Sequence, residues 1–257
     1  MIKYTALALG LLSLSAVATS TTGSIANMPT VGNDSKQGFH GMVGLGAASM
    51  PEYVGGDDTE TNVLPLINVS YNDTFYFKFN RLGAWVYKSN SGFRVGGVVM
   101  PHAGWESGDG DRLTDLEDRD DSIMAGINAE YKKGMFSTEV GYVTDVSDES
   151  EGSKFYAQAS YTMLANRQYT LTVNGKVEAW DEDLTSYYYS AVGPDGLYIA
   201  DSTTNITLSL VGTYNLTKQW KLIGLASATS LGDEISDSPI VEDDTNNMFL
   251  LGAVYTF

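Results

Sequence analysis

Cysteine is absent from the 257 residues, so neither a disulfide framework nor a thiolate nucleophile is open to this chain. Positive charge is scarce: 15 lysines and arginines stand against 32 aspartates and glutamates, a formal charge of −17. So acidic a surface excludes nucleic acid as a partner, because phosphate binding needs a basic face. Histidine occurs only twice, and no nucleophile elbow, paired-histidine helix or other catalytic spacing is present. Beyond the amino terminus no uncharged apolar run reaches the roughly 18 residues of a transmembrane helix. A mature chain that entered a membrane would do so as strands.

The amino terminus has the order of an export signal. Lys3 supplies the positive end and Ala6 to Val17 the apolar stretch. Ala16-Val17-Ala18 supplies a small-x-small cleavage site. Cleavage is expected after Ala18, with Ala26 as the alternative. Residues 1–18 are thus a signal peptide, 19–37 a polar lead and 38–257 the folded part.

From Gly38 onward one theme repeats: about ten alternating residues, then a turn. Phe155, Ala157, Ala159, Tyr161 and Met163 alternate with Lys154, Tyr156, Gln158, Ser160 and Thr162. Tyr169, Leu171, Val173 and Val177 alternate with Thr170, Thr172, Asn174, Lys176 and Glu178. In the last strand Phe249, Leu251, Ala253, Tyr255 and Phe257 share one wholly apolar face. A soluble strand rarely ends so, because a terminus frays into water; a strand with lipid outside and aromatics at the interface does. The spacing Gly252, Tyr255, Phe257 also resembles the carboxy-terminal assembly signal of outer-membrane barrels, which implies the barrel-assembly machinery as a partner during biogenesis. Leu250 departs from it, standing where that signal usually has a polar residue.

Twelve strands are expected, near 38–49, 62–71, 73–80, 82–88, 92–104, 121–132, 134–145, 152–163, 168–180, 203–214, 219–231 and 245–257. Ten is the alternative, and 73–80 with 82–88 is the least definite pair. Short and long connections alternate, and an even number places both termini on the short-turn side. Charge follows the same division. Of the 32 acidic residues, 27 lie in or beside the long connections, whereas Lys88, Lys132, Lys133, Arg167, Lys218 and Lys221 gather at the short turns. The fold class is therefore all-β: a closed antiparallel transmembrane barrel with short periplasmic turns and long acidic outer loops. The rival is a secreted sandwich, whose apolar faces would point inward and whose strands would be shorter.

On this register the lumen-facing candidates are His40, Lys78, Arg94, His102, Glu130, Lys132, Glu139, Lys154, Lys176 and Glu178. They suit either a His-based hydrolytic site or opposite charges cross-bracing a narrow bore, and the missing catalytic spacings favour bracing. The stretch Asp109 to Asp121 looks like a calcium loop, yet lacks the central glycine and final glutamate of the helix-loop-helix motif. It is expected to be a solvated acidic loop, loosely holding divalent ions that bridge it to lipopolysaccharide phosphates. Tyr187, Tyr188, Tyr189 and Tyr198 suit an interfacial belt first, a loop core second, an outer contact surface third. No catalytic residue, cofactor or metal ligand is assigned.

Pro51-Glu-Tyr53-Val-Gly55, Asp183-Leu-Thr-Ser186-Tyr187-Tyr188-Tyr189, Gly196-Leu197, Asp237-Ser238-Pro239-Ile-Val241 and the ending Gly252 to Phe257 follow in an order and spacing that cover nearly the whole mature chain. In these the sequence resembles the MipA/OmpV family of outer-membrane proteins. Ser190-Ala191-Val192 departs from it, standing where the family commonly has a glycine before valine. The resemblance implies an outer-membrane barrel without enzymatic activity. One branch of the family is named for binding a lytic transglycosylase of murein remodelling, as a scaffold joining it to a synthase; the other is known for surface antigens and adhesin-like proteins. The leading expectation is a scaffold for murein hydrolase and synthase, with a porin-like diffusion channel and a surface adhesin as alternatives. Lipid and lipopolysaccharide of a Gram-negative outer membrane are the expected surroundings.

Overall fold

Residues 37–194 and 196–257 are described by the structure, a computed structural model. The export signal, its cleavage site and most of the polar lead lie outside the described residues.

Twelve strands close one antiparallel barrel. They are β1 (Phe39–Pro51), β2 (Thr59–Tyr71), β3 (Phe75–Lys78), β4 (Arg81–Lys88), β5 (Phe93–His102), β6 (Ser122–Lys133), β7 (Phe136–Asp145), β8 (Ser153–Ala165), β9 (Tyr169–Trp180), β12 (Thr203–Asn215), β13 (Trp220–Ser230) and β14 (Thr245–Thr256). All twelve expected strands are present, and the doubtful pair is two strands, turned at Phe79 and Asn80. β10 (Ala191–Gly193) and β11 (Gly196–Tyr198) form a separate hairpin within the fourth long connection. The same connection holds α1 (Glu182–Tyr189), and the last long connection holds α2 (Asp233–Ser236). Neither helix nor this hairpin was legible as alternation.

Local chemistry explains the turns. Asn72 and Asp73 both take positive φ, 52° and 49°, in the three-residue turn between β2 and β3, which Thr74 N closes by donating to the Tyr71 carbonyl at 3.0 Å. Gly134 supplies φ 60° between β6 and β7. β14 returns to β1 with Val43 opposite Tyr255, and Gly41 and Phe257 exchange backbone hydrogen bonds of 3.2 and 3.1 Å. The last residue is thereby tied into the seam.

The apolar faces point away from the barrel axis. Phe155 is 46% exposed and Phe249 61%, with no second sheet against them. Such a surface on a closed barrel is a lipid face. At the short-turn end the pairs Phe39–Tyr71, Tyr87–Phe93 and Trp220–Tyr255, with ring centroids 4.8, 6.4 and 5.5 Å apart, belong to an aromatic girdle.

One place in the wall is low. β3 has only four residues and pairs with β2 only from Asn68 to Tyr71. β4 reaches no higher on β5 than Val99. Above them, the outer halves of β2 and the end of β5 lack a ladder partner on that side. Pro65 and Pro101 lie in those segments, where the missing proline N–H costs no ladder bond.

Candidate functional site

The barrel interior has two unlike walls. β1, β2, β13 and β14 turn Met42, Leu66, Ile223, Leu225, Leu250 and Val254 inward, all buried. Leu250 sits opposite Leu225 on this dry wall, so the departure from the polar residue of the assembly signal has a packing reason. β3 to β9 and β12 turn polar and charged groups inward instead.

Midway along the polar wall the charges neutralise one another. Glu139, 4% exposed, is the hub. It accepts from Tyr156 Oη at 2.9 Å, Asn128 Nδ2 at 3.2 Å and Arg81 Nη1 at 3.4 Å. Lys176 pairs with Glu178 at 2.8 Å, both shut from solvent. Arg81 and Asn128 were not foreseen. Asn128 was legible, since it shares the inward parity of Glu130; Arg81 was hidden in a segment expected to turn. A buried ion pair holds only when each member keeps its partner and its hydrogen bonds.

Above this layer the outer loops close the bore with a hydrophobic core of their own. His102 lies beneath it, its ring 4.6 Å from Trp180 and 4.8 Å from Tyr188, with Lys154 Nζ 3.0 Å from Nδ1. Trp105 Nε1 donates to the Tyr188 carbonyl at 3.0 Å, and the Tyr188 hydroxyl meets Ser122 Oγ at 2.8 Å. Tyr53 Oη donates to the Ile240 carbonyl at 2.6 Å. Asp181 caps α1 by accepting from Leu184 N at 3.0 Å and also holds Ser153 N at 2.9 Å, pinning the helix to β8.

The tyrosine cluster corrects the expected order of readings. Tyr188 and Tyr189 are 1% and 3% exposed, too deep for an interfacial belt or an outside partner, and serve as loop core. Burial pushes both phenols above the ordinary tyrosine range. Tyr187 and Tyr198 are only partly covered. Burial and the neighbouring Glu234, which also accepts from its hydroxyl, push Tyr198 up to about 12. In the 109–121 loop several carboxylates cap backbone instead of converging: Asp109 accepts from Glu106 N, Asp118 from Ser107 N and Asp121 from Gly104 N. No metal-holding group of three such side chains occurs among the described residues.

At the short-turn end the interior opens into a pocket of about 90 Å³. His40, Lys78, Arg94, Glu130 and Lys132 line it. Arg94 reaches Glu130 Oε1 through Nη2 at 2.5 Å and Nε at 3.0 Å, and Lys78 reaches Oε2 at 3.5 Å. The Arg94 guanidinium lies 4.6 Å over the Trp85 ring. His40 and His102 thus occupy opposite ends of the bore and share no site. Ser70 stands across from His40, so a Ser-His-Asp set is at hand in composition. Its geometry does not activate the serine: His40 Nε2 is taken by Asp73 at 2.7 Å and Nδ1 faces the Gly38 carbonyl at 3.4 Å.

Comparison with known proteins agrees with this architecture. The family model described as MltA-interacting protein MipA matches residues 43–257. The MltA-interacting protein of Escherichia coli K12 is 27% identical over 220 residues, 78% of this chain and 84% of that one. "Putative outer membrane protein YiaT" of the same organism is 27% identical over 224 residues, 84% of this chain and 90% of that one. A NanC porin structure superposes with a TM-score of 0.50 at 10% identity, covering 84% of this chain and all of the porin, a likeness of fold alone.

Proposed function

The chain belongs to the MltA-interacting protein MipA family and is an outer-membrane β-barrel, and from that premise we propose that it is a non-enzymatic barrel whose periplasmic turns dock a murein-remodelling enzyme. The observation that carries this is the filled bore. Met124 and Val143 in the outer half of the bore, and Tyr156 beside Glu139, are 0% exposed and pack in one cluster with the cap. A transported solute has no path past such packing. With a packed bore and no activated nucleophile among the described residues, the surfaces at the two ends are what the molecule has to offer. Lys88, Lys133, Arg167 and Lys218 are exposed around the periplasmic rim, where Asp73 is the single acid among the described residues of the turns. That rim suits an acidic partner face, and the name of the E. coli relative points to a murein enzyme as its class.

The test has two arms. Crosslinked envelopes should yield a murein hydrolase or synthase with the barrel, and reversing Lys133, Arg167 and Lys218 to glutamate should remove it. The purified barrel should be silent in planar bilayers. Failure to enrich any cell-wall enzyme rejects docking, and steady single-channel steps restore the porin-like reading.

A second reading has one observation in its favour. The outer hairpin β10–β11 and the residue after it expose Val192, Leu197 and Ile199 at 71%, 68% and 64%. Apolar groups held out on the cell-surface side suit an adhesin contact. Loss of surface adhesion on replacing the three by serine tests it.

A further inference from the structure

The periplasmic pocket contains polar groups that the surrounding packing leaves unused. Asn68 and Ser160 both line the pocket, 1% and 4% exposed, and Asn68 Nδ2 and Ser160 Oγ have no hydrogen-bond partner among the described residues. Buried donors of this kind are normally satisfied, and two of them lining one cavity leave a place there for an acceptor. Lys132 reaches the same space, half-buried and without an ion pair among the described residues. The adjacent Glu130 is already taken on Oε1 by Arg94 and on Oε2 by Lys78. Lys78, Arg94 and Lys132 stand against Glu130 and Asp73, a formal excess of one positive charge with His40 left out of the count. Trp85 also lines the space, its ring covered by the Arg94 guanidinium at 4.6 Å and by Tyr76 with centroids 5.1 Å apart. A space of about 90 Å³ holds several waters at the roughly 10–15 Å³ each occupies by this measure, or a ligand tip with a similar number of heavy atoms.

We propose that this pocket binds a small monocarboxylate bearing amide or hydroxyl groups, admitted from the periplasm. The Lys132 ammonium meets the carboxylate. Asn68 Nδ2 and the Ser160 hydroxyl donate to the oxygens beside it. The chemistry fits either a hydroxy acid such as lactate or an acylated amino acid such as N-acetylalanine. The site is independent of the docking reading, since it needs no protein partner and is measured on the barrel alone.

The experiment titrates the full chain, refolded in detergent, with lactate, with N-acetylalanine and with uncharged N-acetylalaninamide, following heat by calorimetry and tryptophan emission. Saturable binding of at least one carboxylate is expected, with a dissociation constant on the order of 1 mM. The arm that binds more tightly identifies the source. Lys132→Ala should weaken binding at least tenfold and Lys132→Arg should retain it; Ser160→Ala should weaken it severalfold. Each variant is first shown to fold by circular dichroism. If Lys132→Ala does not fold, Ser160→Ala and the loss of binding with added salt decide in its place. No saturation by either carboxylate, equal binding of the amide, or Ser160→Ala and Lys132→Ala without effect overturns the proposal.

Discussion

Tyr156 stands directly opposite Gly141 on the neighbouring strand, its ring lying in the space that a Cβ at Gly141 would need. Tyr76 and Gly83 repeat the arrangement on β3 and β4. In each pair a tyrosine covers a glycine across the ladder, which restores packing that the glycine gives up. The two rings then send their hydroxyls to one place: Tyr156 donates to Glu139, and Asn128 bridges Tyr76 at 3.0 Å to the same carboxylate.

Adding a methyl at Gly141 therefore displaces the ring that feeds the hub. Gly141→Ala should lower stability by about 1–3 kcal/mol, the usual cost of overpacking. Gly97→Ala is the control, since the nearest atom to a Cβ there is a carbonyl oxygen at 3.7 Å. Equal denaturation midpoints for the two variants in detergent would contradict the pairing.

Glu139→Ala leaves Arg81, 5% exposed, with an uncompensated charge. The expected loss is about 3–5 kcal/mol. Replacing both partners, as Arg81→Met with Glu139→Gln, should recover most of it, because the cost lies in the orphaned ion more than in the missing pair. A double-mutant cycle by urea unfolding measures the coupling.

The cap should come loose without the barrel. Tyr188→Ala removes a ring packed between His102 and Tyr187, together with two hydroxyl contacts. A cost of about 3–5 kcal/mol falls on the outer loops. Protease should then cut within 103–121 and 181–202 while the strands stay intact by circular dichroism.

Acid should tighten the same loops. Burial, and then the charge of Asp57, hold the Glu242 carboxyl above its ordinary range despite Arg112 and Tyr53 beside it. A carboxyl raised on folding adds stability that is complete below its unfolded value of about 4.3 and fades as pH climbs through the raised one. Glu242→Gln should therefore protect the outer loops better than the parent at pH 7 and equally at pH 4. Limited proteolysis of both forms at each pH reports the difference.

Much of this was written in the sequence at period two. Alternation in 154–163 and 169–179 specified the strands and which way each side chain would face, because lipid and a closed lumen impose opposite chemistries on the two parities. The cap carried no such signal. α1 is capped by Asp181 and runs for eight residues through Ser186 and three tyrosines, and its fit depends on Trp105 and Val241 from other loops, contacts that no local spacing encodes. The dry wall was half visible. Met248, Leu250 and Val254 share the inward parity of the last strand, but only Leu250 stood out, and Ile223 and Leu66 supply their neighbours. The low place in the wall left only Pro65 and Pro101 as its trace.

That uneven rim has a mechanical consequence. A cylinder resists ovalisation through the continuity of its cross-strand ladder, and here the ladder is interrupted beside β3 in the half nearer the cell surface. Lateral pressure from the bilayer will concentrate its strain on that arc, and the amides of Thr59 to Leu66 that lack a neighbour there will exchange their hydrogens before those of any full-height stave.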